Sequence, residues 1–122
     1  MDWKIIIHNN PEYIEVITNG IADKDGSLGM AKAITGVMSQ NRINKALIDH
    51  RNIESIKGEI VDIYERPRVM KIIGAILRIR IAEIIKPDQI EHFRFLETVF
   101  RNQGFMFQIF HEREKAEKWL LE

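Results

Sequence analysis

Apolar and polar positions alternate near the start of the chain, and this pattern predicts a β-hairpin. Residues 3–8 form a β-branched run, and the sequence NNPE that follows has the composition of a turn. Residues 13–20 then alternate apolar positions such as Ile14 and Val16 with polar ones and end at Gly20. Two short strands joined by a turn are the usual signature of a hairpin, so we predict one here.

A helix is predicted next, over residues 23–41, because apolar positions recur there every three or four residues. These positions are Leu28, Ala31, Ile34 and Met38. Asp23 or Asp25 is expected to cap the start of this helix, since a short carboxylate side chain can accept a hydrogen bond from a free backbone amide.

The rest of the chain alternates short β-branched runs with segments of helical periodicity. Strands are predicted over residues 45–50, 78–85 and 105–110. Helices are predicted over residues 58–66, 68–76, 89–104 and 112–121. Pro67 is expected to stop the first of these helices, Asp88 to cap the third, and Gly104 to end it.

The predicted order of elements is β-β-α-β-α-β-α-β-α, which indicates the α/β class. We expect one domain over residues 1–122, with a mixed, mostly parallel sheet of about five strands flanked by helices. In such sheets functional residues collect beyond the carboxyl ends of the strands. The segments that meet this condition are residues 19–20, 50–57, 86–89 and 111–112.

Composition narrows the functional classes. Apolar residues make up 45% of the 122 positions, and 18 basic side chains balance 18 acidic ones, so no net charge attracts nucleic acid or anionic lipid. The chain has no cysteine, which excludes disulfides and thiolate chemistry. No signal peptide or membrane-spanning stretch is evident, so we predict a cytoplasmic protein. The balanced charge argues against nucleic acid as a partner.

The chain resembles the STAS domain of anti-anti-sigma factors, and more specifically the small SpoIIAA-like, or STAS/SEC14-type, bacterial proteins. The motif IDHRNIES followed by IVDIYERP is similar to the strand-to-helix junction of that group. Most of the likeness lies in FRFLETVFRNQGFMFQIFHEREKAEKWL, near the end of the chain. The resemblance implies a regulatory or protein-interaction module that binds a protein partner or a second copy of itself, as a homodimer.

One departure from that group concerns its regulated serine. The family places an Asp-Ser pair at the start of the helix after this strand and phosphorylates the serine. The matching positions here are Lys57, Gly58 and Glu59, and Ser55 is the nearest hydroxyl. We therefore predict that the phosphorylatable serine is missing. The candidate binding residues, placed in a loop after the third strand, are Asp49, His50, Arg51, Asn52, Ser55 and Lys57.

Asp49, His50 and Ser55 raise the possibility of a local catalytic triad, but their spacing argues against it. Neighbouring strand residues point to opposite faces of a sheet, whereas an activating histidine must reach its carboxylate and its nucleophile together. The four histidines, His8, His50, His92 and His111, lack the usual metal-ligand spacing, although His50 and His111 would meet if their strands were close. We predict no enzyme activity, no cofactor and no metal.

A basic segment supports an alternative function. Residues 66–80 contain five cations and no anion, namely Arg66, Arg68, Lys71, Arg78 and Arg80. Such a segment is most simply a solvated basic face, but it is also a candidate patch for an anionic partner. The alternative hypothesis is therefore binding of a small apolar or anionic ligand, such as a lipid or a nucleotide; the resemblance to SEC14-type proteins implies the lipid.

Overall fold

The computed structural model describes residues 1–57 and 78–122, which form one five-stranded sheet with helices on both faces. The strands are β1 (Asp2–Asn9), β2 (Glu12–Ala22), β3 (Lys45–Ile56), β4 (Arg80–Ile84) and β5 (Met106–Phe110). The helices are α1 (Lys24–Asn41), α2 (Ile90–Asn102) and α3 (Arg113–Leu120), and a short 3-10 helix (Pro87–Gln89) precedes α2. The helices predicted over 58–66 and 68–76 lie outside the described residues.

The strands lie in the sheet in their order along the chain, from β1 to β5. β1 is antiparallel to β2 as a hairpin, and the β2–β3, β3–β4 and β4–β5 pairs are all parallel. The predicted mixed, mostly parallel α/β sheet is therefore confirmed. No helix in the described part of the chain is long and apolar enough to cross a membrane.

Two hydrophobic layers hold the helices to the sheet. The inner face, covered by α1 and α2, buries side chains such as Ile14, Ile48 and Ile81 against Ile34 and Phe100. The outer face, covered by α3, has a smaller apolar cluster. Its buried members are Tyr13, Leu47, Ala82, Ile84, Ala116 and Leu120.

Local signals at the helix ends are confirmed in two places and wrong in one. Asp23 caps α1, because its Oδ1 accepts from the amide of Gly26 at 2.7 Å. Gly104 follows α2 with a φ of +91°, a left-handed conformation that favours glycine. The expected Asp88 cap is wrong: Asp88 lies within the 3-10 helix, and Gln89, which precedes α2, makes no side-chain cap.

Candidate functional site

The third strand is longer than predicted, and this corrects the position of the candidate site. β3 continues to Ile56, so Arg51, Asn52 and Ser55 lie in a strand and not in a loop. The cause is pairing: β3 leaves β4 after the Asp49–Ile84 pair but stays paired with β2 as far as Ile56 and Ala22.

A backbone hydrogen bond extends the pairing of β3 with β2 by one residue. The amide of Lys57 donates to the carbonyl of Ala22 at 2.6 Å. Lys57, Arg51, Asn52 and Ser55 are all exposed. The end of β3 therefore presents these side chains on a hydrogen-bonded ribbon, which gives them fixed relative positions.

Asp49 lies on the outer face, and a single neighbour on its own strand satisfies its carboxylate. Oδ1 accepts from the backbone amide and from Nε of Arg51, both at 3.0 Å, and Oδ2 accepts from Nη2 at 2.8 Å. Burial raises the pKa of Asp49, but the hydrogen bonds from Arg51 outweigh it, so the pKa is below its ordinary value. Asp49 is thus held as a paired carboxylate.

His50 points to the inner face and is 5% exposed. Its Nδ1 lies 2.8 Å from Oγ1 of Thr18, and its Nε2 lies 3.1 and 3.3 Å from the two carboxylate oxygens of Glu83. Its ring stacks on Phe93 with 4.9 Å between centroids. Both ring nitrogens therefore have a partner inside the protein, and the ring has a fixed plane.

The structure brings together a hydroxyl, an imidazole and a carboxylate, but not the ones that the spacing suggested. Thr18, His50 and Glu83 come from β2, β3 and β4, and each is at least nine-tenths buried. Ser55 has no part in this set. An activated nucleophile must be reachable by its substrate. These three side chains therefore form a buried polar row between strands in the described structure, and not an open cleft.

A small cavity adjoins this buried row on the inner face. It has a volume of about 30 Å³ and is lined by Ser27, His50 and Glu83 beside apolar side chains such as Ile34 and Phe107. A space of this size takes about one or two water molecules. It is far below the roughly 300 Å³ or more that small-molecule sites usually have.

Glu15 anchors the outer face, and its role was not apparent from the sequence. It is 5% exposed, and its carboxylate accepts from Arg113 at 2.6 Å and lies 2.9 Å from Nε2 of His8. The hydrogen bond from Arg113 lowers the pKa of Glu15 in spite of burial, and the bond to His8 adds to this effect. The Arg113–Glu15 pair ties α3 to β2 by charge, and Arg113 also pairs with Glu117 within α3 at 2.6 Å.

An open pocket of about 360 Å³ lies where the end of β3 meets the start of α2. Its lining residues are Glu54, Ser55, Ile56, Asp88, Gln89, Glu91 and His92. The structure thus brings the candidate residue Ser55 beside residues 88–89, another segment predicted to border the site. Nε2 of Gln89 donates to the carbonyl of Ile53 at 3.2 Å, which fixes the approach of α2 to β3.

The basic segment is described only in part. Arg66, Arg68 and Lys71 lie outside the described residues. Arg78 is exposed, whereas Arg80 stacks over the Trp119 ring at 4.5 Å and donates to the Trp119 carbonyl at 2.6 Å. Arg80 therefore helps to hold α3 on the sheet. The ligand hypothesis that rests on this segment stays a prediction.

His50 and His111 have separate partners. Nδ1 of His111 lies 3.1 Å from the carbonyl of Ile85, while His50 bonds to Thr18 and Glu83. Across residues 1–57 and 78–122, no group of three or more metal-ligating side chains is positioned to hold an ion.

Comparison with known proteins identifies the fold. The chain matches no model of a known protein family and no curated protein. It is similar to the structure of an uncharacterised DUF3478 protein with a SpoIIAA-like fold from Shewanella loihica PV-4. The TM-score is 0.60, identity is 17%, and the match covers 97% of this chain and 93% of that one.

A second solved structure, that of the anti-sigma factor antagonist SpoIIAA in its unphosphorylated form, agrees with the first. It matches with a TM-score of 0.60 and 12% identity over 98% of each chain. The chain therefore has a SpoIIAA-like, STAS-like fold, as its sequence predicted. Because identity is this low, the likeness concerns the fold and does not by itself assign an activity.

Proposed function

We propose that this chain is a single-domain, non-catalytic regulatory module that acts in the cytoplasm by binding a protein partner or a second copy of itself. The main support is that two ionisable groups of the candidate site, Asp49 and His50, have internal partners. Asp49 is paired with Arg51, and His50 is buried between Thr18 and Glu83. A general acid or base has to reach its substrate, and these groups do not. The likeness to an anti-sigma factor antagonist supports a regulatory role.

The partner surface that we propose is the end of β3 with the pocket beside it. Arg51, Asn52, Glu54 and Ser55 are exposed along this segment, and the strand holds them in a fixed arrangement. A backbone that strand pairing already holds has little conformational freedom left to lose on binding, which favours specific recognition. The acidic side chains Glu54, Asp88 and Glu91 of the adjoining pocket favour a partner that offers basic groups.

We further propose that this module does not use the phosphorylation switch of its relatives. Lys57 occupies the first of the matching positions, and Ser55 lies within β3 and not at the start of a helix. A helix start favours a phosphate because its free amides bind anions, and a position within a strand lacks this advantage. Intact-mass measurement of the protein purified from its native cells is expected to show no phosphorylated form.

A matched pair of serine variants tests the partner surface. Ser55→Arg places a large cation at the end of β3, and Ser39→Arg places the same side chain on the exposed surface of α1. Partners captured from native cells by the wild-type protein are expected to be lost with Ser55→Arg and kept with Ser39→Arg. Thermal unfolding should be alike for both, because both positions are exposed. Equal capture by all three proteins would contradict the proposed surface.

A further inference from the structure

The two edges of the sheet differ in their hydrogen bonding. The edge at β5 is closed, because side chains bond to its outward-facing backbone groups. The amide of Ile109 donates to Oε2 of Glu97 at 2.8 Å, and Nε of Arg101 donates to the carbonyl of Phe107 at 2.8 Å. Both side chains come from α2. They occupy backbone groups that face away from β4, so another strand cannot pair there without displacing them.

The edge at β1 has no such protection. β1 pairs with β2 on one side, and no hydrogen bond from residues 1–57 or 78–122 reaches its other side. The strand has eight residues, DWKIIIHN, without proline or glycine, whereas β5 has five. Alternate amides and carbonyls along β1 therefore point outward, ready to pair with a further strand.

We propose that a second copy of this chain pairs with β1 in antiparallel fashion, about a two-fold axis through Ile5. The two sheets of five strands then form one continuous sheet. This deepens the proposed interaction role by naming one partner as the chain itself. It does not use the surface at the end of β3, so each proposal can fail without the other. A two-fold axis is the usual symmetry of such a pair.

The extent of pairing and the charge pattern together select this register, since an axis through Ile5 or Ile6 pairs seven of the eight residues of β1, more than an axis through any other residue. Side chains along a strand alternate between the two faces of a sheet. The inner faces of the two copies therefore lie on the same side of the joint sheet only if the two-fold axis passes through a residue of β1, so that each copy of this residue faces the other. An axis through Lys4 sets two lysines opposite each other, and an axis through Ile6 sets Lys4 opposite His8. An axis through Ile5 sets Asp2 opposite His8. Lysines that face each other across strands are destabilising, so the axis through Lys4 is disfavoured. Of the other two, the axis through Ile5 sets the acidic Asp2, and not the basic Lys4, opposite His8, which is the arrangement that a protonated imidazole would favour.

The same register covers an exposed apolar side chain. Ile7 is on the inner face, since it pairs with Ile14, and it is 42% exposed. With the axis at Ile5, the Trp3 of the second copy lies directly opposite Ile7. Trp3 is already packed on α1, where a Cβ at Gly29 would lie 3.2 Å from its ring. It therefore offers a firm apolar surface to Ile7.

Helix α1 has a flank that fits the approach of the second copy. It runs in the same direction as β1, because Met1 lies beside Gly26 and Trp3 beside Gly29. Ala33 and Gly36 continue that flank at helical spacing, and a Cβ at Gly36 would meet nothing within 4 Å.

The position of α1 sets the spacing between the helices of the two copies. It rests against β1 and β2. With paired strands about 4.8 Å apart, the two α1 helices lie roughly 10 Å apart, a distance at which helices pack.

Solution mass is the first test. We expect sedimentation analysis of the wild-type protein over a concentration series to show a monomer–dimer equilibrium. Ile7→Glu, which places an anion against the partner's Trp3, should raise the dimer Kd by about tenfold or more. Met106→Glu is the matched control, since Met106 is 46% exposed on the closed edge and its replacement should leave the Kd unchanged. A wild-type monomer at every concentration overturns the proposal, as does equal weakening by both variants.

The register is tested by cross-linking, for which the absence of cysteine makes the chain convenient. Ile5→Cys brings two thiols face to face at the axis, where Cβ atoms of facing residues are about 4.5–5.5 Å apart, so mild oxidation should give a covalent dimer. Lys4→Cys and Met106→Cys should remain largely uncross-linked. Stronger cross-linking through Lys4→Cys than through Ile5→Cys overturns the register. Circular dichroism of each variant checks that the fold is retained.

Discussion

The two faces of the sheet each bury a glutamate, and they stabilise it in different ways. Glu83 on the inner face is 2% exposed, and its partner His50 is also buried, at 5% exposed. Glu15 on the outer face is 5% exposed, but its partners Arg113 and His8 have side chains that are 36% and 35% exposed.

The comparison shows two ways to stabilise a buried carboxylate: with a partner that is itself buried, or with partners at the surface. Burying a charged group is costly unless it is paired and hydrogen-bonded. On the inner face both members of the pair are shielded from water, so removing one leaves the other buried without a partner. On the outer face the partners reach in from the surface, so water can replace them in part. The inner pair should therefore be the more sensitive to substitution.

The largest expected effect follows from removing the imidazole of the inner pair. His50→Leu leaves Glu83 buried without its partner, and breaking a buried pair in this way typically costs about 3–5 kcal/mol in the free energy of unfolding. Denaturant unfolding measures this cost. The double variant His50→Leu, Glu83→Leu should recover much of it, because an apolar pair has no uncompensated group. A double variant as unstable as the single one would show that packing, and not charge, sets the cost.

Removing the guanidinium on the outer face should have a smaller effect. Arg113→Ala takes from Glu15 its strongest partner, but His8 remains and water can enter, so we expect a loss of about 1–2 kcal/mol in the free energy of unfolding. Lys115→Ala is the control on the same helix. Its pair with Glu112 spans 3.7 Å between exposed side chains, so its loss should be nearly neutral. Equal costs for Arg113→Ala and His50→Leu would remove the distinction between the faces.

Lowering the pH should destabilise the outer face, because its carboxylates become protonated. The expected loss in the free energy of unfolding is smaller than that caused by His50→Leu or by Arg113→Ala. The pKa values of Glu15 and Asp49 are lower in the folded protein than their ordinary values of 4.5 and 3.8. The stabilisation is therefore fully present above the ordinary values and is lost as the pH falls through the folded ones. Melting temperatures below pH 4.5 should fall less steeply for Arg113→Ala than for the wild-type protein. Parallel curves would mean that Glu15 does not contribute to the acid response.

Much of the fold was predictable because its signals are local. The hairpin, the capped start of α1 at Asp23 and the stop at Gly104 follow from the residues at those positions. The length of β3 was not predictable in this way. Its last residues include several polar side chains and are held as a strand by pairing with β2, which is a contact between distant segments.

The buried polar row could not be predicted from local sequence patterns either. The partners of His50 are 32 and 33 positions away, so only the assembled sheet shows that they meet. A weaker signal was nevertheless present. Glu83 and Glu15 each interrupt an apolar strand, and a charged residue in a buried run indicates that a partner is needed. That signal predicts that a partner exists, but not which one.

The side chains that close the β5 edge have a consequence for how the protein tolerates partial unfolding. Glu97 and Arg101 are one helical turn apart on α2, so both leave the strand together if α2 detaches. The segment around Phe107 then presents free backbone groups beside apolar side chains, which is the composition of a template for fibrous aggregation. The attachment of α2 therefore also keeps this edge from pairing with other chains and so protects against aggregation.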